Sequence, residues 1–376
     1  MGKNKNILIC IPCLLTGGTE VQTLSLVKAL ISSSYKVTTL CYFEYSEDMV
    51  ARYKKAGSSV ICLSPERTRA HGAWRTIHFL YKGFKRTLGD KKYDLAHVQY
   101  MAPGAIPIIL LRILGIKKII ATAHTMADIY PSLKLIHFIQ RYILTAFTCI
   151  TLKAEESFFG SASLYTPEIK LKKRGNHFTI YNNLPDYIQI AQRPRSFGNV
   201  ITIGVVSRLE YIKGMDLVVP AFKEIHRQFS NTRFLIVGDG SLRKHMEEEI
   251  NKADLYSCAS MVGRQPQEKL QSYYDQIDIL LVPSRSEGFG LTALEGMARG
   301  CIVIASKVGG LPEIIDNIGF LHIPENIDSI VKSTSKLIEN KRRFGECSHN
   351  ALKRAATFST KTYQQHISTL YKYILS

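Results

Sequence analysis

The sequence has no apolar run fit to cross a bilayer. Its most hydrophobic later stretch, IPIILLRILGIKKII (106–120), is broken by Arg112, Gly115 and two lysines, well short of the roughly 20 apolar residues that a spanning helix needs. No helix-turn-helix pattern, zinc-finger spacing or RNA-binding signature is present, so nucleic acid is not an expected partner. No G-x-G-x-x-G follows the first apolar run, which argues against a nicotinamide-dependent dehydrogenase. A secretory leader is not expected either. The opening MGKNKNILICIPCLLTGG holds only a short apolar run that contains Pro12 and leads into Gly17 and Gly18 rather than a cleavage site, and it reads as mature structure.

Acidic residues are scarce: 31 Asp and Glu stand against 49 Lys and Arg, a formal charge of +18. The excess is uneven, with 25 basic against 12 acidic residues in 1–190, net +13, and 24 against 19 beyond. A basic first half fits a phosphorylated small molecule, an anionic membrane surface or nucleic acid. The segment HFLYKGFKRTLGDKK (78–92) mixes Phe79, Leu80, Tyr81 and Phe84 with Lys82, Lys85, Arg86, Lys91 and Lys92. As a helix it either lies on anionic lipid or buries one face and solvates the other. Eight cysteines sit singly in apolar runs apart from Cys10 and Cys13. That Cys-Ile-Pro-Cys ends a first strand, so it reads as buried thiols in a reducing cytoplasm more readily than as a redox pair.

A chain of 376 residues accommodates two domains. Apolar runs at 6–13, 36–43, 59–64, 94–99, 117–124, 147–152 and 178–183 alternate with helical patterns such as 19–33, which specifies a parallel sheet covered on both faces. Ligands collect at the C-terminal ends of such strands. Gly17 and Gly18 lie after the first run, His97 within the fourth, His124 directly after the fifth, and Asn182 and Asn183 at the last. Patterning lapses over 185–199, PDYIQIAQRPRSFGN, which marks a boundary. Beyond it, ITIGVVS delivers Arg208, with Lys213 just before a helix starting near Gly214. Two cations at a strand end and a helix N-terminus can neutralise a diphosphate, although each alone is an ordinary surface charge.

The densest chemistry lies in SRSEGFGLTALEGMARGCIVIASKVGGLPEII (284–315). It follows the apolar run IDILLVP and reads as strand, glycine loop, helix, strand, presenting free amides and a helix dipole to an anion. Glu287 in the loop and Glu295 in the helix are separated by seven residues, with Gly288, Phe289, Gly290 and Leu291 between them.

With these paired glutamates and the following VGGLPEII, the sequence resembles the retaining nucleotide-sugar glycosyltransferases of the GT-B fold, family-four-like and group one. The resemblance implies two Rossmann-like, doubly wound α/β domains facing an interdomain cleft. These would be an acceptor domain at 1–190, a donor domain at 191–357 and a terminal helix at 358–376 crossing back to the first. It implies that Gly17 and Gly18 lie over the donor diphosphate, that His124 contacts the transferred sugar, and that Asn183 replaces the glycine of a Tyr-Asn-Gly turn through a left-handed backbone. His97 would contact the acceptor. Arg208 and Lys213 would hold the diphosphate, Gly263 and Arg264 the nucleobase, Glu287 the sugar hydroxyls and Glu295 the ribose. Metal-dependent transferases commonly carry Asp-x-Asp, which is missing here, so no metal or other cofactor is expected. The implied reaction moves a sugar from a nucleoside-diphosphate sugar to a glycan or lipid-linked acceptor, with retention. The implied setting is bacterial surface polysaccharide assembly (O-antigen, capsule or exopolysaccharide, with lipopolysaccharide among the products) by a cytoplasmic enzyme peripheral to the anionic inner membrane face. A GT-B sugar-nucleotide epimerase, a phosphorylase, and a non-catalytic nucleotide-binding protein at the membrane surface are the alternatives. A phosphorylase would need a pyridoxal lysine site and is usually much longer.

Overall fold

The computed structural model describes residues 5–68, 72–89, 91–99, 105–196, 198–316 and 318–376, without the side chains of Lys341 and Arg342. Residues 1–4 of the opening segment, Asp90 of the basic segment and Phe197 of the boundary stretch lie outside the described residues. The chain divides into two compact units, Met1–Asn183 with Thr360–Ser376, and Leu184–Ser359.

The first unit holds strands β1 (Asn6–Ile11), β2 (Lys36–Cys41), β3 (Ser59–Cys62), β4 (Leu95–Gln99), β5 (Ile119–Ala123), β6 (Ala146–Cys149) and β7 (Asn176–Thr179). They pair in parallel in the order β3-β2-β1-β4-β5-β6-β7. The sheet separates two cores, and β1 feeds both: Leu8 and Cys10 enter one, Ile7, Ile9 and Ile11 the other. Side chains alternate along a strand, so a strand buried on both faces must be apolar at every position. The helix Thr360–Leu375 closes this unit by burying Ile367, Leu370, Tyr371 and Ile374 in the core that also takes Leu26 and Leu30 of the helix Gly18–Ser32.

The second unit holds β8 (Ile201–Val206), β9 (Thr232–Val237), β10 (Ala259–Gly263), β11 (Ile279–Val282), β12 (Ile302–Ser306) and β13 (Phe320–His322), parallel in the order β10-β9-β8-β11-β12-β13. The units part at Asn183–Leu184, ahead of the boundary read from composition. Residues 184–196 are tied to the second unit by main-chain partners that composition does not reveal. Ala191 N–H donates to the Ala298 carbonyl at 2.8 Å, and the Arg195 guanidinium donates to the carbonyls of Tyr274 (2.6 Å), Asp275 (2.9 Å) and Arg299 (3.0 Å).

The basic segment becomes most of the helix Ala73–Leu88. Its Leu80 and Phe84 are fully buried in the first unit's core, and Phe79 stacks on Phe43 at 6.0 Å between ring centroids, as in the second of the two readings open to this segment. Lys82, Lys85 and Arg86 remain exposed. The apolar face is therefore the core face, as for any amphipathic helix on a globular unit. Phe84→Ala is expected to lower the free energy of unfolding by about 3–5 kcal/mol, and Lys85→Glu to change it by no more than about 0.5 kcal/mol. Denaturant unfolding of the two variants checks this, and equal effects would contradict the burial.

Candidate functional site

In the second unit the strand order reverses between β8 and β11, the crevice where doubly wound sheets take their ligands. Arg208 follows β8 and is exposed; its carbonyl accepts from Glu210 N–H at 2.9 Å, and its guanidinium makes no hydrogen bond or ion pair among the described residues. Lys213 ends a short 3-10 turn, Tyr211–Lys213, and its Nζ donates to Glu287 Oε2 at 2.6 Å, with about a fifth of each side chain exposed (20% and 18%). Ser284 Oγ donates to the same oxygen at 3.3 Å. Arg285, unnoticed in the sequence, anchors the turn. Its guanidinium lies 3.6 Å from the Tyr211 ring centre, donates to both Asp216 carboxylate oxygens at 2.7 and 2.8 Å, and donates to the Tyr211 carbonyl at 2.6 Å. Planar forked pairing of this kind fixes orientation as well as position.

Two glycines let these loops meet. Gly214 has φ +69°, and a Cβ there would stand 2.0 Å from the Pro283 carbonyl oxygen; Gly309 has φ +51°, and a Cβ there would stand 1.8 Å from that of Glu287. Both positions require a residue without a side chain. Gly310 N–H then donates to the Glu287 carbonyl at 3.2 Å. Gly290, at φ +100°, precedes the helix Leu291–Ala298, whose first turn has no side-chain cap. The leading amides of a helix have no acceptor within it. Gly288 and Leu291 are half-buried beside them. Phe289 lies in the same loop with its ring turned inward. It is 3% exposed and meets Phe358 edge-on at 5.7 Å, so its contribution at this loop is main-chain only.

Glu295 is also more enclosed than the sequence suggested. It is 5% exposed, and its Oε1 and Oε2 accept from the hydroxyls of Tyr187 and Tyr274, both at 2.6 Å. Each oxygen keeps a second lone-pair direction. Burial raises its pKa above the usual carboxylate range, and the two tyrosine hydroxyls offset only part of that. Tyr187 belongs to the stretch read as a linker. Gly263 ends β10 at φ +72° with its carbonyl accepting from Gly238 N–H at 3.0 Å, and Arg264 beyond it is exposed.

In the first unit, Gly17 is the extended residue before the helix that Gly18 begins, and Glu20 in its first turn is held by Cys13 Sγ–H at 3.2 Å. All eight cysteines are free thiols, and burial pushes the Cys10 thiol up to about 12. His124, after β5, is 7% exposed, and its Nε2–H donates to Gln99 Oε1 at 3.0 Å. Burial lowers its pKa to about 3, so the imidazole is neutral. His97 is corrected from acceptor contact to internal strut. Its Nδ1 and Nε2 are both 2.6 Å from hydroxyls, of Tyr371 and Thr122 respectively, inside a 3% exposed site, and its pKa also falls to about 3 through burial and the neighbouring His124. Beside these histidines lies a cavity of about 20 Å³ bordered by Gln22, Gln99 and Asn182, large enough for one water. Asn183 has no positive φ, contrary to the expected left-handed turn. Gln22 instead clasps its main chain, donating to the carbonyl at 2.8 Å and accepting from the N–H at 3.2 Å.

The raised Glu295 pKa sets a pH dependence. A carboxyl raised in the folded state favours folding below its unfolded pKa, about 4.3, and that contribution is lost as pH rises through the folded value. Glu295→Gln removes the titration. Its stability relative to the parent is expected to rise as pH climbs from about 4 toward neutrality. Melting curves of both proteins across that range check it, and a constant difference would contradict the assignment.

Comparison with known proteins assigns both units. The family model "Glycosyltransferase Family 4" matches residues 16–158, and "Glycosyl transferases group 1" matches residues 187–356. An uncharacterized glycosyltransferase of Methanocaldococcus jannaschii is 28% identical over 86% of this chain and 85% of its own. The lipopolysaccharide 1,2-N-acetylglucosaminetransferase of Salmonella typhimurium is 33% identical over 36% of this chain and 39% of its own. The Anabaena protein HepE, solved in complex with UDP and glucose, superposes with a TM-score of 0.78 over 98% of this chain and 99% of its own at 17% identity, a likeness that speaks to the GT-B fold. One model matched in each unit, with most of the sequence accounted for, supports a group 1 glycosyltransferase.

Proposed function

We propose that this glycosyltransferase moves a sugar, with retention and without a metal, from a nucleoside-diphosphate sugar to a glycan or lipid-linked sugar. The product is a bacterial surface polysaccharide, and the enzyme acts as a cytoplasmic protein at the inner membrane face. The observation that carries this reading is the 2.6 Å pair of Lys213 and Glu287 at the mouth of β8 and β11, with the uncommitted Arg208 guanidinium on the same strand end. Relatives that act on lipopolysaccharide and amylovoran support the acceptor class. Among the described residues no helix is long and apolar enough to cross a membrane.

In this reading the bond between the anomeric carbon and the diphosphate oxygen breaks while the acceptor hydroxyl oxygen bonds to that carbon from the same side. The hydroxyl proton passes to a phosphate oxygen of the departing group. Arg208, Lys213 and the leading amides of the helix Leu291–Ala298 take up the charge that develops there, and fixed donors are effective because they need no reorganisation during the reaction. Glu287 keeps Lys213 in place and receives sugar hydroxyls. Glu295, already held by two tyrosines, offers its remaining lone pairs to the ribose. His124 is neutral, so a contact with the sugar adds no charge there.

A panel of sugar nucleotides assayed for transfer tests the reading. Lys213→Ala and Glu295→Ala are each expected to lower kcat/KM by about a hundredfold or more, and excess chelator is expected to leave the parent rate unchanged. Near-parental rates in both variants would remove the site assignment, and loss of activity in chelator would remove metal independence.

A further inference from the structure

We propose that one side of the first unit is a bilayer-docking surface, formed by the exposed face of the helix Leu133–Tyr142 and a cationic pocket at its C-terminal end, and that its partner is an anionic lipid surface. This deepens the reading of a lipid-linked acceptor by naming where the membrane is met.

The pocket lies at the N-terminal ends of β5, β6 and β7, across the sheet from His124. It encloses about 660 Å³, and its lining includes Arg112, Lys117, Lys118, Lys172, Lys173 and Arg174 over an apolar floor to which Leu171 and Ile374 contribute. None of these six cations is paired with a carboxylate among the described residues. The two arginines donate only to carbonyls, Arg112 to Ile116 and Lys117 at 3.2 and 3.0 Å and Arg174 to Tyr142 at 2.8 Å, and so keep their charge uncompensated. Six like charges in one concavity repel one another, an arrangement that an anion relieves.

The bond from Arg174 to the Tyr142 carbonyl joins the pocket to the helix Leu133–Tyr142. On that helix Leu135, Phe138 and Tyr142 recur at helical spacing and are 45%, 54% and 51% exposed. Lys134 and Arg141 flank this stripe and are also exposed. The core face of the same helix is separate and is filled by Ile136 and Ile139. Between Leu95 and Ala154 the sequence contains a single acidic residue, Asp128.

Charge alone would suit any polyanion. The exposed apolar stripe decides between them, because a soluble polyanion offers it nothing, whereas a lipid interface receives aromatic and aliphatic side chains beneath its headgroups while the neighbouring cations hold phosphate. The helix runs from the His124 loop toward the start of β6, so a bilayer along it brings a lipid-borne sugar to the strand ends that carry His124. The helix Ala73–Leu88 is a separate surface: it buries Leu80 and Phe84 in the core and leaves Trp74 and Tyr81 exposed beside its cations.

Flotation of the full chain with vesicles of phosphatidylcholine alone, or mixed with phosphatidylglycerol, tests the proposal. The parent is expected to float with the mixed vesicles only, and less at high salt. Lys117→Glu with Lys172→Glu and Lys173→Glu is expected to lower partitioning about a hundredfold, at roughly fivefold per lysine. Leu135→Ser with Phe138→Ser is expected to lower it about tenfold, and Lys82→Glu with Lys85→Glu and Arg86→Glu to leave it within about threefold of the parent. Melting temperatures confirm that the variants fold. Equal binding to both vesicle types, unchanged binding by either of the first two variants, or an equal loss in the third would overturn it. Transfer to a water-soluble acceptor, assayed in parallel, separates the two readings: its absence counts against the transferase function, while its presence without vesicle binding counts against the docking surface alone.

Discussion

The second unit is organised around one short contact, the 2.6 Å ion pair between Lys213 and Glu287, residues 74 apart in sequence. The pair is only partly exposed, so screening by water is reduced and the geometry is held more firmly than in a surface pair. It exists because β8 and β11 are neighbours at the point where the strand order reverses. Arg285 clamps one loop to the other, and Gly214 and Gly309 allow main chains to approach where any side chain would collide. Removing one of these conditions moves a charged group out of its place at the mouth of β8 and β11.

Enclosure separates the roles of the two glutamates that the sequence presents as a matched pair. Glu287 is partly exposed and paired with a cation, whereas Glu295 lies inside with two tyrosine hydroxyls. The same side chain thus acts as counter-ion in one place and as a buried acceptor in the other, where burial pushes its pKa upward. His97 and His124 of the first unit are treated alike in charge, both neutral through burial, and differ in partners. Tyr371 and Thr122 occupy both nitrogens of His97, while Gln99 fixes the Nε2–H form of His124.

The doubly wound architecture was legible because parallel strands buried on both faces must be written as continuous apolar runs, and β1 and β11 read so without ambiguity. The loop at Glu287 was legible for a similar local reason: glycines, a carboxylate and a helix-forming segment follow one strand directly. The partners were not. Tyr187 meets Glu295 across 108 residues, and Arg285 meets Asp216 across 69, and no periodicity or composition marks either pairing. The stretch at 184–196 looked like a linker because its bonds go to distant carbonyls. The helix Ala73–Leu88 was left open between two readings because an amphipathic pattern does not say whether its apolar side meets a core or a membrane. The exposed apolar stripe on Leu133–Tyr142 was hidden for the converse reason, since its helix is apolar on two faces.

The account depends on charge being received at the reversal of the second sheet. A crystal structure of the protein with a nucleoside diphosphate bound tests that most directly. The terminal phosphate is predicted within hydrogen-bonding distance of Lys213 Nζ, the Arg208 guanidinium and the leading amides of the helix Leu291–Ala298, with Glu287 displaced little or not at all. A diphosphate held elsewhere, with Lys213 and Glu287 still paired and Arg208 still unengaged, would contradict it.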